Sequence, residues 1–192
     1  MIPRAEPEAR FKETAMRSRL SFYALILIVL APAPRLASQE PPTEPDSTLQ
    51  SAEGTVREVY RLVSFQPGET TDWAKVRRLF LPQAVVQLRT TRTATTVFTL
   101  DGFIQDFVNF DTLPAVVRNG FAERIARMHP SVFRDMAFVA TRYEAIIPNA
   151  MRAPQTGVDY WLLVRREGRW WIAAITNDLP TPEHPIPAEL AP

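Results

Sequence analysis

The chain has 192 residues, 46% hydrophobic and 22% charged, with 18 prolines, 6 glycines and no cysteine; this fits one globular domain with appendages and excludes a disordered or fibrous chain. Without cysteine there are no disulfides, thiolate metal sites or cysteine nucleophile, and no lipidated cysteine of a bacterial lipoprotein. The net charge of +1 arises at the N-terminus, where residues 1–38 hold six of the 22 basic and three of the 21 acidic residues and leave a balance of −2, so no basic surface for nucleic acid is expected.

In chain order, the first feature is a secretory pattern. Arg17 and Arg19 precede an apolar run from Leu20 to Leu30, broken only by Ser21, and small residues follow at Ala31, Ala33, Ala37 and Ser38. Eleven helical residues rise about 16 Å at ~1.5 Å each, short of a hydrocarbon core of roughly 30 Å. We therefore expect residues 1–38 to be an N-terminal extension and signal peptide, with Met16 as an alternative start. The mature chain would begin between Pro34 and Gln39, be secreted or periplasmic, and carry no stable membrane span. An uncleaved signal anchor is the alternative. Residues 39–52 read as a proline-rich linker, 53–178 as the domain and 179–192 as a proline-rich tail.

Val56, Val59, Tyr60 and Val63 recur at helical spacing until Pro67-Gly68. A second helix is expected after Thr71 or Asp72, with Trp73, Val76, Leu79 and Phe80 on one face and Pro82 as its stop. Ala84–Arg89 and Thr95–Leu100 read as paired strands. Asp101 is expected to cap a third helix with the aromatic face Phe103, Phe107 and Phe110. Pro114 and Asn119-Gly120 break the chain, and four strands follow at 121–129, 136–147, 158–166 and 169–176, the last two joined by the hairpin pair Glu167-Gly168. This is an α+β order without βαβ alternation. Its physical solution is a strongly curved antiparallel or mixed sheet of about six strands, four long and two shorter, covered by three helices, with a hollow suited to a small molecule.

The stretches AFVATRYEA at 137–145 and TGVDYWLLVRREGRWWIAAI at 156–175 resemble nuclear transport factor 2-like proteins, the superfamily of SnoaL-like cyclases and ketosteroid isomerases, and Gly168 to Ile172 resembles their final hairpin signature. The resemblance implies a cone-shaped cystatin-like fold with a central cavity, frequent dimers and no universal catalytic set. Asn177 stands where members with this type of ending often carry tryptophan.

Chemistry of the isomerase type needs a carboxylate base in a dry pocket and a hydroxyl or protonated acid for the enolate oxygen. Asp106, Glu123, Glu144 and Asp159 are the available carboxylates, and Tyr60, Tyr143 and Tyr160 the phenols. Glu123 reads first as a cross-strand ion pair with Arg124, Arg127 or Arg142, and second as a general base. His129, before Pro130, is placed at a strand end as a candidate acid or base. Alternation puts Ala137, Val139, Thr141 and Tyr143 on one, inward face, so the phenol of Tyr143 needs a partner, with Glu123 or Arg127 as candidates. The candidate pocket is Tyr143, Phe103, Phe107, Glu123, Arg127, His129 and Trp161. No metal-ligand spacing, Gly-rich phosphate loop or nucleophile elbow is present, so no metal or cofactor is expected. Three readings follow: a cavity that binds a small hydrophobic molecule, an isomerase, cyclase or dehydratase acting on a hydrophobic carbonyl compound, and an interaction module of the cell envelope whose outer sheet face pairs with itself, as a homodimer, or with another envelope protein.

Overall fold

The structure is a computed structural model and describes residues 47–91 and 93–192. The expected signal segment and most of the linker lie outside these residues. Among the described residues, no helix is long and apolar enough to cross a membrane.

A short 3-10 turn at Ser47–Gln50 buries Leu49 and leads into helix α1, Ala52–Leu62, whose N-cap Ser51 accepts a hydrogen bond from the Gly54 amide at 3.0 Å. Helix α2 is only Trp73–Arg77, capped by Asp72. The sequence expectation that it continues through Phe80 to Pro82 is corrected, because Phe80 already begins strand β1, Phe80–Arg89. Proline has no amide to donate, and Pro82 sits where the ladder to its neighbour is interrupted, between Phe80 and Val85. β1 is consequently a long strand, which leaves β2, Thr95–Thr99, as the single short one.

Helix α3, Leu100–Asp111, takes Thr99 rather than Asp101 as its N-cap, and Asp101 instead pairs with Arg77 at 2.5 Å. The break expected at Pro114 to Gly120 is a fourth helix, α4, Pro114–Asn119, with proline at its first position where no amide bond is lost. Strands β3, Ala122–Phe133, β4, Met136–Ile146, β5, Gln155–Arg166, and β6, Arg169–Asp178, complete the fold. Glu167 and Gly168 both have positive φ, 53° and 78°, as a two-residue turn matching strand twist requires.

The six strands lie in the order β2-β1-β6-β5-β4-β3. All neighbours are antiparallel except β1 and β6, which run parallel, so the sheet is mixed. One sheet face carries Ala137, Val139, Tyr143, Trp161, Leu163, Ile172 and Ile175, packed with Val56 and Val59 of α1, Val76 of α2 and Phe103 of α3 into the main core. A smaller cluster of Phe65, Val116 and Phe121 closes one end, where Phe65 and Phe121 exchange backbone hydrogen bonds of 2.8 and 3.0 Å. In the tail, Ala188–Leu190 lies against β3 and β4 with Leu190 fully buried, and Ala140 of β4, on the face opposite Val139, is also fully buried.

Candidate functional site

Sheet register decides which side chains face the helices. Directly opposed residues of antiparallel strands share a face, so Tyr143 carries with it Ile125 of β3 and Gly157 of β5, and Thr141 carries Asp159 and then Asn177 of β6. Asp159 and Asn177 are therefore drawn under α1, where Tyr60 meets them.

These side chains form one continuous buried network. The Tyr60 hydroxyl donates a short hydrogen bond to Asp159 Oδ2 and lies 2.7 Å from Thr141 Oγ1. The indole N–H of Trp161 donates to the same Thr141 oxygen at 3.1 Å. Since indole can only donate, Thr141 accepts from Trp161 and directs its own proton to Tyr60. On the other carboxylate oxygen, Asn177 Nδ2 donates at 2.6 Å, and it also donates to the Tyr143 hydroxyl at 3.0 Å. The Asn177 carbonyl accepts from the Arg89 amide of β1 at 3.2 Å, which fixes which end of the amide faces Asp159.

Gly157 explains how Tyr143 fits. A Cβ on residue 157 would lie 2.3 Å from the Tyr143 hydroxyl oxygen and 2.4 Å from Cζ, so the phenol lies across the bare backbone of β5.

Beside this network is a cavity of about 330 Å³. Its walls are mainly apolar and aromatic, including Phe103, Phe107, Phe110, Tyr60, Tyr143 and Trp161. Ring contacts run along it, with centroids 5.0 Å apart for Phe103–Phe107 and 5.7 Å for Tyr60–Trp161. Its charged lining residues are Arg89, Asp106, Glu123, Arg152 and Asp159. Arg89 is engaged with Asp178 by two bonds of 2.8 and 2.7 Å, and Arg152 reaches Gln155 at 3.1 Å.

Glu123 differs from the other carboxylates. Its backbone is held to the end of α1 by Ser64, whose hydroxyl accepts from the Glu123 amide at 2.9 Å and donates to the Tyr60 carbonyl at 2.8 Å, with the Glu123 carbonyl 3.2 Å away. The residue is half-buried because it faces the cavity, yet burial pushes its carboxyl up to about 8, with the nearby Asp159 charge adding to the effect. Burial likewise raises Asp159 to about 6, opposed by the donors Tyr60 and Asn177. Both phenols, Tyr60 and Tyr143, are pushed well above their ordinary value by burial and then by these carboxylates.

The ion pair expected for Glu123 is not formed; Arg124 instead binds Glu144 at 2.5 Å on the exposed face. Arg127 and His129 are corrected as well. A β-bulge at Ala126 advances β3 by one residue, so Arg127 opposes Arg142 and His129 opposes Ala140, and both are exposed on the face away from the helices. His129 also stands mid-strand, because β3 continues through Pro130 to Phe133 as a sheet edge that tolerates proline. Tyr143, Phe103, Phe107, Glu123 and Trp161 line the cavity. The partner of Tyr143 is Asn177, not Glu123 or Arg127. Tyr60, Thr141, Asp159 and Asn177 lie outside the pocket expected from the sequence, although strand alternation places Asp159 with Trp161 and Asn177 with Ile175. Among the described residues, no group of three or more metal-ligating side chains converges.

No family model and no curated protein matches this sequence. Solved structures do match in fold. One is a nuclear transport factor 2-like protein of unknown function from Pseudomonas putida, with a TM-score of 0.55 at 8% identity over 73% of this chain and 93% of the other. A second, from Novosphingobium aromaticivorans, is provisionally designated a scytalone dehydratase; its TM-score is 0.52 at 11% identity over 67% of this chain and 81% of the other. A third, from Caulobacter vibrioides, has a cystatin-like fold and matches with a TM-score of 0.51 at 12% identity over 68% and 88%. With six strands in a mixed sheet among the described residues, helices on one face and a cavity between them, the chain has the cystatin-like α+β fold seen in nuclear transport factor 2-like structures.

Proposed function

We propose that this domain binds a small, largely apolar organic molecule in the cavity between the sheet and helices α1 and α3. The observation that carries the reading is an aromatic-walled hollow of about 330 Å³ whose inner wall is a hydrogen-bonded network with its own partners. Such a wall is pre-organised, so a ligand meets fixed polar atoms without ordering them first. Titration with 2-acetylnaphthalene, followed by tryptophan fluorescence, tests it. Saturable binding that is lost in Ala145→Phe, which adds a ring to the cavity lining, is the expected result. Binding unchanged in that variant, with an unchanged melting temperature, would place the site elsewhere.

A second reading is an isomerase, cyclase or dehydratase acting on a hydrophobic carbonyl compound. It is favoured by two carboxyls raised to different extents, Asp159 to about 6 and Glu123 to about 8, near the phenol of Tyr143. At neutral pH one is mostly a base and the other mostly an acid, the division of labour proton transfer requires. The likeness to a structure provisionally designated scytalone dehydratase is consistent with this reading. Exchange of the methyl-ketone protons of 2-acetylnaphthalene in D₂O, catalysed by the protein and lost in Glu123→Gln, would support it. Export rests on the Arg17 to Ser38 pattern, and N-terminal sequencing of a secreted or periplasmic fraction that found Leu20 to Leu30 intact would remove the cleavage claim.

A further inference from the structure

The charges that line the cavity do not balance at its inner end. Asp159 spends both oxygens on Tyr60 and Asn177, whereas the Glu123 carboxyl makes no hydrogen bond within the described residues. The two cationic side chains of the lining are committed elsewhere, Arg89 to Asp178 and Arg152 to the amide oxygen of Gln155. The charged and phenolic side chains that line the cavity from other elements are Tyr60 of α1, Asp106 of α3, Tyr143 of β4, Asp159 of β5, and the two committed cations Arg89 of β1 and Arg152 of the β4–β5 loop. A carboxylate left unpaired in such a place is costly, and a ligand that brings a positive charge relieves the cost. The surrounding rings offer the other half of a cation site, because the π-faces of Tyr, Trp and Phe attract ammonium groups.

We propose that the cavity is built for a compact organic cation, an aryl or alicyclic amine whose ammonium group is held by the Glu123 carboxylate beside Tyr60 and Tyr143, with its hydrocarbon body against Phe103 and Phe107. This rests on the cavity being the binding site and names the class of molecule that enters it. It also distinguishes the two acids: the buried Asp159 organises the wall, and the half-buried Glu123 meets the ligand.

Binding carries a proton signature. In the free protein Glu123 holds its proton up to about pH 8. An ammonium ion beside it favours the carboxylate, so complex formation near pH 7 releases a proton while the amine keeps its own. The test uses a matched pair of probes, 1-(2-naphthyl)ethylamine and 2-acetylnaphthalene, which share a skeleton and differ in charge. Isothermal titration in two buffers of different ionisation enthalpy counts protons. The expected result is at least about tenfold tighter binding of the amine at pH 8, release of close to one proton per complex at pH 7 that fades above pH 9, and loss of the preference in Glu123→Gln. If the ketone binds as tightly as the amine, or the amine binds without proton release, the inference is wrong and the binding cavity stands. If neither probe binds, both readings fall. The proton count is made on the unaltered protein, so the inference can fail even if Glu123→Gln does not fold.

Discussion

Asn177 is the residue on which the buried network turns. Its amide group serves Asp159, Tyr143 and the Arg89 backbone, three partners on three different strands. Replacing it with alanine leaves an Arg89 N–H and a carboxylate oxygen without a partner, and we expect Asn177→Ala to lower stability by about 1–3 kcal/mol in chemical denaturation. Tyr143→Phe should be milder, about 1 kcal/mol, because the Asn177 amide keeps its bond to Asp159 when the phenol oxygen is removed. A thermal melt beside a probe titration separates the two roles of that hydroxyl. A small loss of stability with a large loss of affinity assigns it to the ligand, and the reverse assigns it to packing. Tyr143 was legible in the sequence as an inward phenol from strand alternation alone. Its partner was not, since the Asn177 contact crosses from β4 to β6 over the bare backbone of Gly157 in β5, and alternation does not say which residues a side chain can reach across an intervening strand.

The two turn residues of the β5–β6 hairpin show the opposite case, in which a local pattern is enough. Glu167 sits at φ 53°, a conformation a β-carbon disfavours and asparagine tolerates better. We expect Glu167→Asn to raise stability by a few tenths to about 1 kcal/mol, readable as a higher denaturation midpoint with an unchanged slope. Where sequence reading went astray, the cause was also a single residue. Pro82 looks like a helix stop, yet it stands in a strand at a break in the β1–β6 ladder. Ala126 carries no signal of its own, but as a bulge it reverses the faces of Arg127 and His129 relative to Glu123. A strict period of two, followed from Glu123, puts Arg127 inside. The α+β order and the final hairpin were legible because they depend on composition over many residues, whereas the bulge depends on one.

For the molecule as a whole, the paired acids make stability depend on pH. Both folded values, about 8 for Glu123 and about 6 for Asp159, lie above ordinary carboxylate values. The folded state therefore binds more protons than the unfolded one between about pH 4 and pH 8. The contribution of these groups is fully present below that window and is lost as pH rises through about 6 and then about 8. Urea melts at pH 5 and pH 9 should differ by on the order of a few kcal/mol for this reason, and Glu123→Gln should flatten most of the slope. The outer sheet face bears on assembly: Phe138 is 37% exposed, and Leu162 opposite it 51%. We expect this apolar patch to support self-association at micromolar concentrations, weakened in Leu162→Lys, with sedimentation velocity as the measure. A monomer that sediments identically with and without the substitution would rule that out.

The single parallel pairing, β1 with β6, bears on how the molecule assembles in time. β3, β4, β5 and β6 follow one another as an antiparallel meander, so each pairing closes a short stretch of chain. β1 joins β6 only after roughly 90 residues of separation, a slower closure because its entropy cost comes before its contacts. Arg89 belongs to β1, and with it comes the hydrogen bond that fixes Asn177. The acid-bearing wall is thus half made by the meander and finished when the β1–β2 hairpin docks. Folding and the completion of the cavity are then the same late event, and the Arg89 amide, read by hydrogen exchange, is the proton that reports it.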